Sequence, residues 1–329
     1  MDFELTDEQR DLAEGIRRLC QGRLPLDELR RRERSTRVVD RAAWAALGDA
    51  GVFAMRLPAT GGGLGLGLAD AAVVFEELGA ALVPGPLVAT FLAAGRIAGA
   101  ADGTVVVGVA ERPGPGDQAA GVLPVVVEHL EDLDVLVVLG GDGLSLVDPS
   151  TVDATPLDRP LDPLTPLWAV PRLPAGEPLG GRDEAARWLR DGAALTAALQ
   201  VGLARWTCER AVDHALQRHQ FGRPIGSFQA IKHLCADMVV RTELARAAVH
   251  AGALTVDQPD VGDARRAVAG AKLLADEAAL ANSRTAIQVH GGMGFTWEVP
   301  VHLAAKRARV HASQFGTADD QASTLAGGL

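Results

Sequence analysis

The feature that most restricts the fold of this chain is a succession of four helical patterns after Asp183. The first places apolar residues on one helix face from Trp188 to Trp206, and the second begins at about Phe228. The third covers residues 264–289 and is rich in alanine, which permits close contacts between helices. The fourth opens at Pro300, a residue type favoured in the first helical turn, and runs to about residue 312. Four such helices in succession predict an antiparallel four-helix bundle.

Two further regions precede this bundle. Residues 1–100 contain helical patterns, the first of which starts after Thr6, whose hydroxyl is suited to cap a helix. Between residues 101 and 178 the sequence changes to short β-branched runs at 104–107, 122–127, 135–139 and 144–147. We therefore predict a mostly α protein with a small β domain. The predicted domains are an N-terminal helical domain (1–100), a shortened middle β domain (101–178) and the C-terminal four-helix bundle (179–329).

Composition narrows the class of protein. The chain has 329 residues, of which 48% are apolar and 22% charged, and no apolar run is long enough to span a bilayer. A net charge of −10 argues against nucleic acid as a partner. The acidic N-terminus lacks a signal-peptide core, so we expect a cytoplasmic protein. Cys20, Cys208 and Cys235 have no metal-ligand spacing and are predicted to be buried, reduced thiols.

Two segments of the predicted bundle carry residues suited to a ligand. The first, from Arg218 to His233, combines cations, amides, aromatic residues and a Gly/Pro turn between two helical patterns. This mixture suits a corner that holds a large anionic aromatic ligand. The second, from Gln288 to Phe295, contains the Gly291-Gly292 pair, at which a ligand can approach the backbone closely. Taken singly, Arg218 also fits a helix-end ion pair, Gln288 a helix cap and the glycine pair a helix C-cap, so the prediction depends on their combination.

Other conspicuous residues are assigned structural roles. The glycine-rich run at 61–67 is predicted to be a turn, because no strand and P-loop lysine accompany it. His214, His219 and His290 have no second ligand at zinc spacing and are predicted to be structural or surface residues. We therefore predict no metal site.

The two segments resemble the flavin-binding motifs of the acyl-CoA dehydrogenases, and residues 62–65 and 76–79 add weaker similarity. The resemblance covers nearly the whole chain and implies that family's fold, with FAD as cofactor, an acyl-CoA substrate and an electron-transfer acceptor. In the family, a carboxylate removes the α proton of the thioester while the flavin accepts the β hydrogen as hydride. The positions that match the family's cofactor contacts are Arg218, Gln220, Phe221, Gln229, Gln288, Gly291, Gly292 and Thr317. Residues of the Arg218 and Gln288 type contact the FAD held mostly by the neighbouring subunit.

Other motifs of the family are altered in this chain. Residues 314–317 match a Tyr-Glu-Gly-Thr segment, but Phe315 stands in the place of the usual glutamate base and cannot accept a proton. A minority of the family has its base on the first bundle helix, at about Gly192 here. The adjacent Asp191 points elsewhere, since one residue rotates a helical side chain by about 100°, and we predict a solvent-facing acid. Residues 109–117, which match a loop that contacts a subunit's own flavin, lack its hydroxyl groups. No catalytic base is assigned.

The resemblance therefore implies a subunit that completes the FAD site of a longer, glutamate-bearing acyl-CoA dehydrogenase partner. Some members of the family pair two unlike chains in an α2β2 assembly, including members that act on steroid side chains, and this sequence resembles the short chain without a base. Two alternatives stay open. One is a homodimeric or homotetrameric flavoenzyme with a displaced base, and the other is a structural subunit that binds no flavin.

Overall fold

The structure is a computed structural model that describes residues 5–112 and 125–327. The chain divides into two compact units. We call the described residues within 1–20, 68–83 and 193–329 the bundle unit, and those within 21–67 and 84–192 the sheet unit. The division into three domains at residues 100 and 178 stays a prediction.

Helices dominate the described residues, and the small β domain lies between them in sequence, which confirms the predicted fold class. The helices before the strands are α1 (Asp7–Arg23), α2 (Leu26–Arg32), α3 (Arg41–Asp49), α4 (Leu68–Ala80) and α5 (Leu87–Ala93). Those after them are α6 (Arg182–Gln217), α7 (Gln229–Asp257), α8 (Ala264–His290), α9 (Val301–His311) and α10 (Ala318–Ala326). The four helical patterns after Asp183 correspond to α6 to α9, whereas the sequence analysis missed α10.

Glycines set the closest helix packing of the bundle unit. In this unit α7 pairs with α8, and α8 also contacts α9 and α10 while α7 contacts α4. A Cβ atom on Gly79 of α4 would lie 2.1 Å from the carbonyl oxygen of Leu199 in α6, and one on Gly202 of α6 would lie 2.0 Å from that of Glu76. Helices α4 and α6 therefore approach backbone to backbone, a contact that any side chain at these glycines would prevent.

Two adjacent buried glutamates connect four helices of the bundle unit. Arg205 of α6 forms ion pairs with Glu76 at 3.1 Å and with Glu77 at 2.9 Å. Arg17 of α1 pairs with Glu77, and Arg246 of α7 with Glu76, each at 2.9 Å. Burial opposes the charge of Arg246, but the hydrogen bonds and charges of Glu76 and Glu243 together outweigh it and raise the pKa of the guanidinium. The glutamates of the 76–79 motif thus have structural partners within the chain.

The sheet unit contains two sheets. In the first, strands β1 (Val107–Glu111) and β3 (Val135–Gly140) are parallel. Strands β4 (Gly143–Val147) and β7 (Glu177–Gly181) follow with antiparallel pairing, so the strand order of this sheet is β1-β3-β4-β7. The second sheet is antiparallel, with the order β2 (Val125–Glu128), β6 (Leu167–Val170) and β5 (Thr155–Pro156). The strands predicted at 135–139 and 144–147 are therefore confirmed.

The strand predicted at 104–107 begins only at Val107, because side chains bind the preceding backbone N–H groups. The amide of Thr104 donates to Oδ1 of Asp102 at 3.0 Å, and the amide of Val106 donates to Oδ2 of Asp134 at 2.7 Å. These side-chain acceptors replace the sheet ladder over this stretch. Of the run predicted at 122–127, residues 125–127 are in β2, and the rest lies outside the described residues. Residues 113–117 of the altered loop also lie outside them.

All three cysteines are free thiols. Cys20 and Cys208 are buried, and burial raises their pKa to about 12 and about 11. Cys235 is half-buried, so the predicted burial is only partly correct for this residue. No helix within residues 5–112 and 125–327 combines the length and apolar content required to cross a bilayer. The same residues contain no group of three His, Cys, Asp or Glu side chains suited to a metal ion.

Candidate functional site

A tight hairpin follows α6 and fixes the position of Arg218. Strands β8 (His219–Gln220) and β9 (Arg223–Pro224) are antiparallel, and the turn between them consists of Phe221 and Gly222. Both turn residues have positive φ, 53° and 79°, the conformation of a two-residue hairpin loop. The Arg218 amide donates to the His214 carbonyl at 2.8 Å, and its own carbonyl accepts from the Ile225 amide at 2.8 Å. Arg218 is thus held at both backbone groups where the helix passes into the hairpin.

Phe221 occupies an unusual position at the tip of this hairpin. A positive φ is strained for a bulky side chain, because its Cβ is crowded by the backbone. The ring is nevertheless 91% exposed, with an edge contact to Phe228 at 6.1 Å between ring centroids. A strained and exposed aromatic residue at a loop tip indicates a role outside the packing of this chain.

The Gly291-Gly292 pair ends α8 in a conformation that requires glycine. Gly291 has φ 60° and ψ −139°, a backbone region that residues with a Cβ atom avoid. Its amide donates to the Gln288 carbonyl and closes the helix. A Cβ atom on either Gly291 or Gly292 would meet nothing within 4 Å, so the backbone of the pair borders open space.

These two segments meet at one cavity of about 520 Å³ in the bundle unit. Its lining includes four predicted site residues, Arg218, Gln220, Gly291 and Gly292. Ile225, Val289, Met293 and Thr296 supply apolar and hydroxyl groups, and His214 and His290 complete the lining. We call this space the Arg218 cavity. The structure therefore brings half of the predicted cofactor residues together, from segments about 70 residues apart in sequence.

The other predicted residues lie elsewhere. Phe221 is at the hairpin tip, Gln288 is exposed on the last turn of α8, and Gln229 is exposed at the start of α7. Thr317 forms a capping box at the start of α10, where its amide donates to Oδ2 of Asp320 at 2.8 Å. Its hydroxyl is also hydrogen-bonded to that carboxylate, at 2.6 Å. A cofactor contact from each of these four side chains stays a prediction.

The electrostatics of the Arg218 cavity favour an anion. Within the described part of the chain, no carboxylate lies within ion-pair distance of the Arg218 guanidinium. The side-chain NH₂ group of Gln220 donates to the His219 carbonyl at 2.8 Å, so the side-chain oxygen of Gln220 points away from that carbonyl. The imidazoles of His214 and His290 stack with ring centroids 4.2 Å apart. Burial, the neighbouring His290 and the Arg218 charge all lower the pKa of His214.

Both histidines had been assigned structural or surface roles, and their place in the cavity lining was missed. A signal was present in the sequence, since His214 lies four residues before Arg218 and shares its helix face. His290 directly precedes the glycine pair. The absence of metal-ligand spacing excludes a role in metal binding for both residues, but it does not exclude a place beside a dinucleotide.

The position of the family's base contains no ionisable group. Phe315 is 3% exposed and has a φ of 52°. The side-chain amide of Gln321 donates to its carbonyl oxygen at 3.1 Å. The segment is therefore packed around an apolar side chain, in agreement with the absence of an assigned base.

The prediction that Asp191 faces solvent was wrong. The residue is 6% exposed and lies in the interior of α6 rather than in its first turn. Its carboxylate forms ion pairs with Arg56 and with Arg190, each at 2.7 Å. The sequence pattern did not reveal Arg56, which is 135 residues away and provides the charge that permits burial. Each oxygen of the carboxylate is therefore held by a guanidinium group of the chain.

Comparison with known proteins identifies the family. A model described as "Acyl-CoA dehydrogenase, C-terminal domain" matches residues 180–329, and one described as "Acyl-CoA dehydrogenase, N-terminal domain" matches residues 6–102. The acyl-CoA dehydrogenase IpdE2 of Mycolicibacterium smegmatis is 33% identical over 323 residues, which cover 98% of each chain. The chain belongs to the acyl-CoA dehydrogenase family, as the two motifs had predicted.

Solved structures agree in fold. A chain of the ChsE4-ChsE5 complex from Mycobacterium tuberculosis has a TM-score of 0.82 and 24% identity, with 99% of this chain and 98% of that chain covered. PigA, solved with FAD and proline, has a TM-score of 0.83 and 20% identity, with 100% and 99% covered. At these identities the likeness establishes the fold alone.

Proposed function

We propose that this chain takes part in the FAD-dependent α,β-dehydrogenation of an acyl-CoA thioester, as a subunit that completes the flavin site of a glutamate-bearing partner. The observation that carries the proposal is the Arg218 cavity, which is lined by the glycine pair and by an arginine that has no carboxylate partner among the described residues. Family membership supplies the reaction class. An electron-transfer acceptor completes the turnover by reoxidising the flavin.

The residues of the Arg218 cavity fit the diphosphate of a dinucleotide cofactor. The Arg218 guanidinium has the planar fork and permanent charge that suit a pyrophosphate. The Gly291 and Gly292 backbone leaves room for phosphate oxygens, and Gln220 offers an amide to neighbouring polar atoms. Bound FAD would supply the acceptor for the substrate's β hydrogen. The role of this chain would be to hold the dinucleotide in place.

The exposed predicted residues suit a site shared between subunits. Phe221, Gln229 and Gln288 project from the same unit as the cavity but do not line it, and each is exposed in the single chain. A neighbouring subunit that carries a flavin would cover them. The solved relative from Mycobacterium tuberculosis is a complex of two differently named proteins, ChsE4 and ChsE5, which supports such a pairing.

The chemistry of proton removal is assigned to the partner. Phe315 is apolar and buried, and Gly192, at the family's second base position, has no side chain. The adjacent carboxylate of Asp191 is bound by two arginines. Loss of a general base typically costs about 10² to 10⁴ in rate. A subunit lacking one contributes cofactor binding and shape to a shared site, and a longer homologue contributes the glutamate.

The test is expression of the chain alone and together with a longer, glutamate-bearing homologue from the same organism. We expect a colourless protein alone, and a yellow complex that oxidises an acyl-CoA with an artificial electron acceptor. A yellow and active single chain would contradict the need for a partner. A complex without flavin would contradict the flavin site itself.

Two substitutions on the same helix distinguish a loss of flavin binding from a general loss of stability. Arg218→Ala removes the unpaired guanidinium and should weaken FAD binding by roughly 10- to 100-fold, the usual worth of hydrogen bonds to a charged group. The matched control is Arg210→Ala on the same helix, since Arg210 forms a surface ion pair with Asp213 at 3.1 Å and does not line the cavity. Equal flavin content in both variant complexes would remove Arg218 from the site.

A further inference from the structure

The sheet unit has a second cavity, of about 330 Å³, with an aromatic floor and an arginine rim. The floor consists of Phe53, Phe91 and Trp188, whose side chains are almost fully buried. The rim consists of Arg56, Arg96, Arg187 and Arg190 together with Glu184 and Asp191. We call this space the arginine cavity. Its volume lies near the lower end of the range for small-molecule sites, about 300–1,000 Å³.

Each carboxylate of the rim is shared by two guanidiniums. Asp191 pairs with Arg56 and Arg190, each at 2.7 Å. Glu184 pairs with Arg96 at 2.7 Å and also with Arg187. Four positive groups of the lining therefore face two negative ones, an excess of two positive charges within the lining. Outside the lining, Asp183 also acts on Arg187. This excess runs against the net charge of −10 of the whole chain, so it is a local property of the rim.

A cavity of the bundle unit provides an internal comparison. It has a volume of about 560 Å³ and also contains four arginines, Arg10, Arg17, Arg205 and Arg246. Four carboxylates, those of Asp11, Glu14, Glu76 and Glu77, share that lining. There the charges balance, and three of the arginines, Arg17, Arg205 and Arg246, pair with the buried glutamates. The number of arginines is thus equal in the two cavities, and the missing carboxylates distinguish the arginine cavity.

The start of α6 presents the aromatic and charged groups on one face. Arg187 and Trp188 lie three and four residues after Glu184, and Asp191 lies four and three residues after them. Arg187 and Arg96, which share Glu184, are the more exposed members of the rim, with side chains 56% and 44% accessible. An anion entering from solvent therefore meets these two guanidiniums first and has the Trp188 floor beneath it.

We propose that the arginine cavity binds a small amphipathic carboxylate. Its acid group would lie between the guanidiniums of Arg96 and Arg187, whose forked donors match a carboxylate. Its apolar part would extend toward Trp188 and Phe91. This site is separate in sequence and chemistry from the Arg218 cavity, and it requires neither flavin nor a partner subunit. A carboxylate of this kind exists either as a free acid or at the end of a longer acyl group.

Calorimetric titration of the full chain with hexanoate, 1-hexanol and inorganic phosphate tests the site. We expect hexanoate to bind, and we expect the alcohol and phosphate to bind at least about tenfold more weakly, because each lacks one half of the required chemistry. Phosphate binding as tight as that of hexanoate would overturn the amphipathic part of the proposal. Absence of hexanoate binding would overturn all of it.

Variants locate the binding. Arg187→Gln alone and Arg96→Gln with Arg187→Gln should weaken hexanoate binding by about tenfold or more. Arg31→Gln is the matched control, because Arg31 pairs with Glu28 on α2 in the same unit and does not line the cavity. Thermal unfolding checks that each variant is folded. If the double variant does not fold, Arg187→Gln alone still tests the site, because the Arg187 side chain is exposed. Unchanged affinity in a folded Arg187→Gln chain would contradict the proposal.

A second titration identifies the source of the carboxylate. Adipyl-CoA carries a terminal carboxylate that hexanoyl-CoA lacks, and the two thioesters are otherwise alike in length. Tighter binding of adipyl-CoA that is lost in Arg187→Gln would show that the acid arrives on a thioester. Equal binding of the two thioesters, with hexanoate still bound, would identify the free acid as the ligand.

Discussion

The imidazole rings of His214 and His290 stack at 4.2 Å between centroids, with 25° between their planes, in the lining of the Arg218 cavity. His290 is oriented by a contact of its Nδ1 atom with the Ala286 carbonyl at 2.7 Å. The burial of His214 and its position beside His290 and the Arg218 guanidinium disfavour a positive charge on its ring and lower its pKa. The protonation of His214 therefore depends on groups that line the cavity in which we place the dinucleotide.

The first prediction concerns the pH dependence of stability. Burial, His290 and Arg218 lower the pKa of His214 below its ordinary value of 6.5 in the folded chain. The unfolded chain then binds this proton more readily, so His214 leaves stability unaffected above pH 6.5 and reduces it as the pH falls through that value. Urea unfolding above and below this pH should show a smaller acid loss for His214→Gln than for the natural chain. His233→Gln, which replaces an exposed histidine of α7, is the control, and its acid loss of stability should equal that of the natural chain.

The second prediction separates the two glycines of the 291–292 pair. Gly291→Ala places a Cβ atom on a backbone with φ 60° and ψ −139°, which should cost about 1–3 kcal/mol of the free energy of unfolding. Gly292 lies outside the left-handed region and has open space at its Cβ position, so Gly292→Ala should change stability by less than about 1 kcal/mol. Chemical unfolding measures both values. A similar loss in the two variants would contradict the special role of the Gly291 backbone.

The same pair also tests the cofactor site. A methyl group on Gly292 would point into the space that we assign to phosphate oxygens while leaving the fold intact. The flavin content of the Gly292→Ala complex should therefore fall without a parallel fall in stability. Full flavin content would mean that the cofactor lies away from this backbone.

Periodicity predicted most of the fold because most of its helices bury one continuous apolar face. The starts of α6 and α7 and both ends of α8 and α9 lie within a few residues of the predicted ones, since apolar residues at helical spacing are determined by packing. α10 was missed although Thr317 and Asp320 have the spacing of a capping box. The late start of β1 at Val107 depends on the carboxylate of Asp134, a distant side chain that no local pattern reveals.

The parts of the candidate site that depend on one local motif were predictable from the sequence. Arg218 and the glycine pair each lie at a helix end with a turn beside it, so their exposure followed from local sequence, whereas their proximity depends on the packing of α6 with α8. Asp191 was misjudged because its burial depends on Arg56, and the His214–His290 stack was missed because it joins α6 to α8. Contacts between segments distant in sequence decide the protonation and accessibility of a side chain, and periodicity does not specify them.

The third prediction concerns a buried ion pair in the bundle unit. The Lys272 ammonium is fully buried and donates to Asp276 at 2.6 Å and to the His311 carbonyl at 3.1 Å. Gln200 donates to the same carboxylate at 2.8 Å. Burial raises the pKa of Asp276 even though Lys272 opposes the shift. Lys272→Met should therefore cost about 3–5 kcal/mol in unfolding free energy, because it leaves an unpaired buried carboxylate.

The double variant Lys272→Met with Asp276→Leu provides the control for this pair. It removes both charges, so it should be distinctly more stable than Lys272→Met alone. Urea unfolding of the two single variants and the double variant gives the coupling energy. Additive losses would mean that the two side chains do not depend on each other for burial.

The last prediction restores a carboxylate at the family's base position. Phe315→Glu puts an acid where the side chain is 3% exposed. Loss of the buried ring alone should cost about 3–5 kcal/mol, the range for large-to-small changes in a core, and desolvation of the acid adds to it. Because burial raises the pKa of an acid, the loss should increase as the pH rises above the ordinary value for glutamate, about 4.3. Phe315→Leu, which keeps an apolar but smaller side chain, should cost less than Phe315→Glu, because it leaves a cavity without burying an acid.

Activity measurements on the same variant address the division of labour between subunits. If a partner holds the reacting flavin and supplies the glutamate, then Phe315→Glu gives no acyl-CoA oxidation in the single chain and no increase in the complex. Oxidation of an acyl-CoA by the Phe315→Glu chain alone, with flavin bound, would instead mean that this chain keeps a complete substrate and cofactor site and lacks only its base. Phe315→Gln, which has the shape of the glutamate but cannot accept the proton, distinguishes that outcome from a change in packing.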